Sequence, residues 1–412
     1  MLRPSLSARL IGIPIVAVLA VGVAASPAYA AGTPQQEAAA FATALTGASA
    51  TVTAGVLDDT GNLLAGVNAS TSLPPASTEK VATVGTALKV FGPTHRFTTV
   101  VQGLSPLPHR YTWKGMQQTS YGPLVVVGGG DFSLRAAGLT TLLTPIQRSG
   151  VRSIRGGLWL DVSLLDSVRT APGWKPEWLG TEAGPLSAFM YEQNLSRTDP
   201  AYLNDPDSGN LSIINGWLKS HGVAVYGGVH VGRPAGVLRT VASVSSQPLS
   251  VLGSTTLQDS VNTWAEMLLK DVGATDGEGS TRHGLAVVRS VVAGTGGDLG
   301  TAYDGSGLSL LDRKTATQEL GTVLGLGTSS IGPSLLAELP ISCTNGTLVH
   351  RLCNLTGRVH AKTGTVTGVC ALTGYVVDSS GRRLWFSVQV QGGSGNSYRQ
   401  ALIDRAVTAL VG

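Results

Sequence analysis

Strand-like segments at both ends of this chain limit its possible folds more than any other feature. After a helix predicted over residues 35–46, residues 49–70 give two strand-like runs around the turn Asp58–Gly61. Near the C-terminus, VHAKTGTV, GVCALTGYVVD and RRLWFSVQVQG predict three strands, and a helix is predicted over residues 397–410. This order predicts an α+β fold in which one antiparallel sheet, flanked by helices, takes strands from both ends of the chain.

The segments between these ends have two different characters. Apolar residues at helical spacing predict helices within residues 80–91, 255–274 and 282–293. Residues 96–245 instead contain short β-like pieces and turns, with helical candidates only near residues 138–149 and 211–221. A mature chain of about 380 residues exceeds what one core usually organises. We therefore predict a catalytic domain made of residues 31–95 and 246–412, and a β-rich inserted domain of residues 96–245.

The first 30 residues have the layout of a secretory signal peptide. Arg3 and Arg9 precede an apolar run that ends at Ala28-Tyr29-Ala30. We therefore expect a secreted, extracytoplasmic protein of the periplasm or cell wall, with peripheral or no membrane association after cleavage; an uncleaved anchor is the alternative. The formal net charge of +4 falls to +2 without the two leader arginines, which argues against nucleic acid as a partner.

The three cysteines fit an exported protein better than a metal site. In an oxidising compartment Cys343 and Cys353 could close a short loop and leave Cys370 as a buried thiol; a bridge between Cys343 and Cys370 is the alternative pairing. The chain has no CxxC pattern and no cluster of histidines beside these cysteines. We predict no metal site and no cofactor.

A serine and a lysine three residues apart open the first buried helix, in PPASTEK. Positions i and i+3 of a helix share one face, so Oγ of Ser77 and Nζ of Lys80 can meet. A desolvated lysine with a lowered pKa can act as the base that a serine nucleophile needs. Taken alone the pair is ambiguous, because serine is also among the commonest helix-capping residues.

Two further motifs remove this ambiguity. Ser260-Val261-Asn262 lies at the head of a helix. Lys362-Thr363-Gly364-Thr365 lies inside an apolar strand, where a lysine is costly unless the strand is an edge strand or the ammonium has a function. A glycine at position 364 lets another group approach the backbone closely. SxxK, SxN and KTG in this order are the set found in class A β-lactamases and penicillin-binding proteins. The combination predicts a serine acyl-transfer site.

Spacing and local sequence narrow the prediction further. Ser260 follows Ser77 by 183 residues (260 − 77), far more than in a class A β-lactamase. With GGGDFSL at 128–134, DGSGLS at 304–309 and GRVHAKTGTVTGVCALTGYV at 357–376, essentially the whole mature chain resembles the class C low-molecular-mass penicillin-binding proteins, the D-alanyl-D-alanine carboxypeptidase/endopeptidase family. The resemblance implies a β-lactamase/transpeptidase-like domain with insertions between its first two motifs.

The resemblance also implies a role for each motif residue. Ser77 is expected to be the acylated nucleophile and Lys80 its general base, while Ser260 relays a proton to the leaving amine. Asn262 is expected to hold Lys80 and the substrate amide. Lys362 is expected to keep the site electropositive and to hold the substrate carboxylate, and the remaining expected substrate-binding residues are Thr363, Gly364 and Thr365. The N–H groups of Ser77 and Thr365 would form the oxyanion hole.

Residues outside the three motifs receive weaker assignments. Asp131, after the glycine run, is a candidate contact for the amino end of a stem-peptide side chain, although an Asx turn explains it equally well. Asp304 and Ser306 are expected to brace the loop beside the site. Glu79 is expected to be a first-turn helix charge rather than a base.

The function that the resemblance implies is hydrolysis of peptidoglycan stem peptides by a D-alanyl-D-alanine carboxypeptidase that is inhibited by β-lactams, with endopeptidase activity as a further expectation. A β-lactamase or esterase that uses the same residues is the enzymatic alternative. A non-catalytic wall-binding homologue is the other alternative, but such a protein would have no chemical reason to keep Ser77, Lys80, Ser260, Asn262 and Lys362 together. The sequence leaves the oligomeric state undetermined.

Overall fold

A computed structural model describes residues 32–104, 109–195 and 204–412. The predicted signal peptide lies outside these residues. Among the helices that the described ranges contain, none combines the length and apolar character needed to cross a bilayer.

The central sheet takes strands from both chain ends, as predicted. Its strands are β1 (Thr51–Leu57), β2 (Leu63–Val67), β12 (Val359–Val366), β13 (Val369–Val377) and β14 (Arg383–Gln391). They lie in the order β12-β13-β14-β1-β2, and every pairing is antiparallel. Strand β12, which carries the KTG motif, is therefore an edge strand.

Helices cover both faces of this sheet. On one face lie α1 (Pro34–Leu45) and α10 (Asn396–Thr408), whose apolar side chains share a core with Val52, Val388 and their sheet neighbours. The other core is built around α2 (Lys80–Phe91), which is buried through most of its length. The helices that pack with α2 are α5 (Leu249–Gln258), α6 (Asn262–Ala274), α7 (Thr281–Gly294), α8 (Ala316–Thr328) and α9 (Gly332–Ala337).

The apolar spacing within residues 255–274 covers two helices rather than one, and the second begins at the SVN motif, as predicted. Helix α5 ends at Gln258 and α6 begins at Asn262, because Ser260 between them has a φ of 59° in the left-handed region. The apolar spacing of Leu257 and Trp264 continues across the break since both side chains enter the same core. Ser260 therefore lies in the break itself, whereas Asn262 is the first residue of α6.

Residues 98–245 add their own sheets and core. One five-stranded sheet contains, in order, β10 (Val229–Val231), β8 (Leu158–Asp161), β6 (Leu124–Val127), β3 (Thr98–Leu104) and β11 (Leu238–Ser245). A four-stranded sheet contains β4 (His109–Trp113), β5 (Met116–Tyr121), β7 (Ser153–Arg155) and β9 (Ala224–Tyr226). Helices α3 (Ala136–Arg148) and α4 (Pro206–Ser220) pack with the first of these sheets.

The fold class is α+β, as predicted. Phe132 of the insertion packs against Trp264 of α6, with ring centroids 5.3 Å apart, so the insertion contributes to the core around α2. Residues Gly32–Gly412 form one compact unit. We therefore keep the domain boundaries at residues 96 and 245 as a proposal. The disulfide joins Cys343 to Cys353 and leaves Cys370 as a buried free thiol, which confirms the first of the two predicted pairings.

Candidate active site

Ser77 lies in a short 3₁₀ turn, Ala76–Glu79, directly before α2. It is half-buried, whereas Ala76 and Thr78 on either side are fully buried. Ala76 has a φ of 51°, a left-handed conformation that costs an alanine about 1–2 kcal/mol. The packing of the buried residues around this turn must therefore offset that cost. Ser77 is the one residue of the turn whose side chain is accessible.

Lys80 lies one turn further on, and its amine is fully enclosed. Its Nζ lies 2.8 Å from Oγ of Ser77 and donates to Oδ1 of Asn262 and to the carbonyl of Ser306, each at 2.7 Å. The side chain has no solvent exposure. The first and second motifs are thus brought together as predicted.

Burial lowers the pKa of Lys80 from its ordinary value to about 7. Desolvation disfavours the ammonium form, and four carboxylates act in the opposite direction: those of Asp304, Glu266, Glu79 and Glu182. A lysine that is half neutral near pH 7 can accept a proton from a serine hydroxyl. The same amine can return that proton later, because its pKa is close to the working pH.

The third motif meets the second across the site. Lys362 on β12 is fully buried, and its Nζ donates to Oγ of Ser260 at 3.0 Å and to the carbonyl of Thr363 at 2.9 Å. Burial, followed by the positive charge of Lys80, lowers the pKa of Lys362 well below its ordinary value. The left-handed backbone of Ser260, between α5 and α6, places its hydroxyl on this ammonium.

The rest of the KTG segment borders the nucleophile. Oγ1 of Thr363 donates to Oγ1 of Thr347 at 2.7 Å, and Thr365 is exposed. A Cβ placed on Gly364 would lie 2.9 Å from the carbonyl of Pro75. The close approach expected at Gly364 is therefore made by the turn that carries Ser77. Substrate contacts of these three residues stay a prediction.

Asp131 forms the Asx turn that was the alternative explanation for its position after the glycine run. Its Oδ1 accepts from the N–H of Ser133 at 2.9 Å and from the Ser133 hydroxyl at 2.6 Å. The side chain is buried, and this burial raises the pKa of its carboxyl. A contact between Asp131 and a substrate remains a prediction.

The loop of residues 304–309 is braced by Asp304, as expected, and also by Glu266, which the sequence analysis did not single out. Asp304 accepts from the N–H groups of Gly307 and Ser309 and from the hydroxyl of Ser306, which confirms its expected bracing role. Oε1 of Glu266 also accepts from the N–H groups of Gly305 and Ser306, at 2.7 and 2.8 Å. Burial and the charge of Asp304 raise the pKa of Glu266 to about 8. Glu266 follows Asn262 by four residues on α6, a spacing that could have identified it.

Glu79 is a buried ion-pair residue. Its Oε2 lies 2.9 Å from Nζ of Lys314, and both side chains are 1% exposed. Thr78 in turn donates to Glu319 at 2.9 Å, and Glu319 lies 3.9 Å from the same ammonium. The first-turn position that we predicted for Glu79 is correct, but the charge is held inside the protein and anchors the turn of Ser77.

Gly307 should be the least replaceable glycine of this site. It has a φ of 71°, and a Cβ there would lie 1.8 Å from the carbonyl oxygen of Ala76. We expect Gly307→Ala to lower the free energy of unfolding by at least about 3 kcal/mol, in denaturant titrations. Gly381→Ala is the matched control, because its φ is 85° but its Cβ would meet nothing within 4 Å; it should lose about 1–2 kcal/mol. Equal losses in the two variants would contradict the steric argument.

Comparison of the sequence with known proteins identifies its family. The sequence matches the profile of the D-Ala-D-Ala carboxypeptidase 3 (S13) family over residues 36–200 and 193–410. Carboxypeptidase DacB of Mycolicibacterium smegmatis is 29% identical over 373 residues, which cover 84% of this chain and 76% of the relative. A D-alanyl-D-alanine carboxypeptidase of an Actinomadura species is 29% identical over 423 residues, with 82% and 76% covered.

A solved structure shows the same fold. The crystal structure of penicillin binding protein 4 from Haemophilus influenzae superposes with a TM-score of 0.78 at 20% identity, covering 90% of this chain and 98% of that one. The profile match extends over most of the described residues, including all three motifs. The chain therefore belongs to the D-Ala-D-Ala carboxypeptidase 3 (S13) family of peptidases.

Proposed function

We propose that this protein is a serine D-alanyl-D-alanine carboxypeptidase that cleaves peptidoglycan stem peptides through an acyl-enzyme on Ser77. The observation that carries the proposal is the distance of 2.8 Å between Oγ of Ser77 and the fully buried Nζ of Lys80. Because the pKa of that amine is lowered to about 7, it can take the serine proton at neutral pH. Family membership supplies the substrate class.

Acylation proceeds by transfer of the Ser77 hydroxyl proton to Lys80 as Oγ attacks the carbonyl carbon of the penultimate D-alanine. The N–H groups of Ser77 and Thr365 stabilise the oxyanion of the tetrahedral intermediate. Collapse of the intermediate breaks the peptide C–N bond, and the departing amine takes a proton that Lys80 supplies through Ser260. Free D-alanine leaves, and the ester on Ser77 remains.

The C-terminal carboxylate of the substrate is recognised at the KTG strand. The pKa of Lys362 is lowered by burial and by Lys80, so an incoming carboxylate favours the ammonium form of Lys362 when it binds. The hydroxyls of Thr363 and Thr365 add hydrogen bonds to the same group. Lys362 thus supplies the positive charge that the substrate carboxylate needs.

Deacylation uses the same residues in a second step. A water molecule gives a proton to Lys80 as its oxygen attacks the ester carbon, and Ser77 regains its proton when the acyl product leaves. A β-lactam forms the corresponding ester when its ring opens, but no amine is released from the site. We propose β-lactams as inhibitors on this basis, and cross-linked stem peptides as additional substrates.

An extracytoplasmic location suits this function and the chain. The substrate lies outside the cytoplasmic membrane, and the Cys343–Cys353 disulfide is typical of an oxidising compartment. We propose that residues 1–30 direct export and that the mature protein works in the periplasm or cell wall.

The test is to incubate the purified mature chain with a peptide ending in D-Ala-D-Ala and, separately, with a labelled penicillin. We expect release of one D-alanine per peptide, and a long-lived penicillin adduct whose peptide map places the label on Ser77. Absence of both would overturn the proposal and favour a wall-binding homologue. Rapid turnover of penicillin without an adduct would indicate a β-lactamase instead.

A further inference from the structure

One segment of the insertion, residues 169–186, forms hydrogen bonds with the start of α6 and with the loop of residues 304–309, both of which contact Lys80. We call it the 169–186 strap. Its ends are joined, because the N–H of Leu186 donates to the carbonyl of Arg169 at 2.9 Å, and Nη1 of Arg169 donates to the carbonyl of Leu186 at the same distance. The N–H of Gly184 donates to Oγ1 of Thr263 at 2.9 Å, which fixes the strap to the start of α6.

The strap orients the amide of Asn262. Nδ2 of Asn262 donates to the backbone carbonyl of Glu182 at 3.0 Å. An amide presents its donor and its acceptor at opposite positions, so this contact leaves Oδ1 as the atom that faces Lys80. The hydrogen bond of 2.7 Å from Nζ of Lys80 to that oxygen follows.

The strap also holds the other acceptor of Lys80. Nε1 of Trp174 donates to Oδ2 of Asp304 at 2.8 Å. The same Asp304 oxygen accepts from the Ser306 hydroxyl and from the N–H of Ser309, both at 2.9 Å. These bonds fix the loop in which the carbonyl of Ser306 accepts from Lys80 at 2.7 Å.

We propose that the 169–186 strap is a positioning element for the amine of Lys80, and that Trp174 is its principal positioning residue. The proposal rests on the proposed role of Lys80 as the base. In this proposal, part of the insertion orients the base that activates Ser77.

The reason lies in the bonding of a neutral amine. Such a group has two N–H donors and one lone pair, and the lone pair must face the hydroxyl of Ser77 to accept its proton. Nζ of Lys80 has three polar neighbours: Ser77, Asn262 and Ser306. When Asn262 and Ser306 take the two N–H groups, the lone pair is left for Ser77. The strap supports both of these acceptors.

The charged groups that face Lys80 set the expected pH response. They are the carboxylates of Asp304, Glu266, Glu79 and Glu182 and the amine of Lys362. A carbonyl acceptor stabilises an ammonium more than a neutral amine. Loosening the Ser306 carbonyl should therefore lower the pKa of Lys80 further, so the acid limb of acylation should move to lower pH while the maximal rate falls.

Trp174→Phe tests the proposal, because it removes the indole N–H and keeps an aromatic ring. The measurement is the second-order rate of acylation by a labelled penicillin across pH, expressed per labelled site so that misfolded molecules do not count. We expect the maximal rate to fall about tenfold and its acid limb to move to lower pH. Trp178→Phe, the same change on the same strap, is the matched control; Lys175 Nζ lies 5.2 Å from the centroid of the Trp178 ring. It should change neither quantity.

The outcomes separate this proposal from the proposed function. If wild type forms no adduct, the proposed function fails. If wild type is labelled and Trp174→Phe matches Trp178→Phe in rate and pH profile, the strap has no positioning role. A lower rate with an unmoved acid limb would also overturn the proposal, since general loosening explains it. Trp174→His keeps a ring N–H and should recover part of the rate, and it provides the comparison should Trp174→Phe fail to fold.

Discussion

Ser77→Ala should abolish penicillin labelling and D-alanine release, with at least about a 10⁴-fold loss in acylation rate. Within the part of the chain that the structure describes, Ser77 carries the one hydroxyl in hydrogen-bond contact with Nζ of Lys80, at 2.8 Å. The folded state should survive, because the change removes one hydrogen bond from a half-buried side chain, a cost of about 0.5–1.5 kcal/mol. Intact-protein mass spectrometry after incubation with penicillin measures the adduct.

A serine on the surface provides the control for this experiment. Ser212 is exposed on α4, so Ser212→Ala should keep full labelling. Binding of the D-Ala-D-Ala peptide to Ser77→Ala, followed by calorimetry, should persist because the KTG strand is unchanged. Labelling of Ser77→Ala at a rate near that of wild type would place the nucleophile on another residue.

Lys80→Met should lower the acylation rate by about 10²–10⁴-fold, the usual contribution of a general base. In wild type the rate should rise as the pH passes upward through the Lys80 pKa of about 7, because only the neutral amine accepts the Ser77 proton. The variant has no amine at this position, so that limb of the pH profile should disappear. The profile of penicillin labelling measures both effects.

Lys89→Met is the matched control on the same helix. Lys89 is exposed in the last turn of α2, and its Nζ lies 3.3 Å from the hydroxyl of Ser330. This variant should acylate like wild type with the same pH midpoint. A Lys80→Met enzyme that retains the wild-type limb would assign the titrating group, and the role of base, to another residue.

The central sheet and the three motifs could be predicted because each has a local signal. Strands β13 and β14 are apolar runs between turns, and the pair Ser77 and Lys80 is visible as an i, i+3 spacing at a helix start. Lys362 stands out as a lysine within an apolar strand. These signals need only the sequence within a few residues of each site.

The supporting contacts could not be predicted, because they join segments that are far apart in sequence. The bond from Trp174 to Asp304 spans 130 residues, and the pairing of Glu79 with Lys314 spans more (314 − 79 = 235). The apolar periodicity alone also missed the break at Ser260, which only the SVN motif indicated, because the apolar stripe continues although the backbone leaves the helix. The spacing of apolar residues predicts which side chains enter a core. The backbone conformation between them depends also on contacts with segments that are distant in sequence.

The topology of the central sheet has a consequence for the timing of activity. Strand β1 pairs with β14 from Thr51 opposite Gln391 to Leu57 opposite Trp385, so the first strand cannot be completed until nearly the last residues are present. Contacts between such distant segments make folding slow. Under the proposed export from the N-terminus, Ser77 would reach the outside of the membrane well before Lys362. The catalytic centre would then assemble only when translocation is almost finished, which would delay the proposed activity until the whole protein has been delivered.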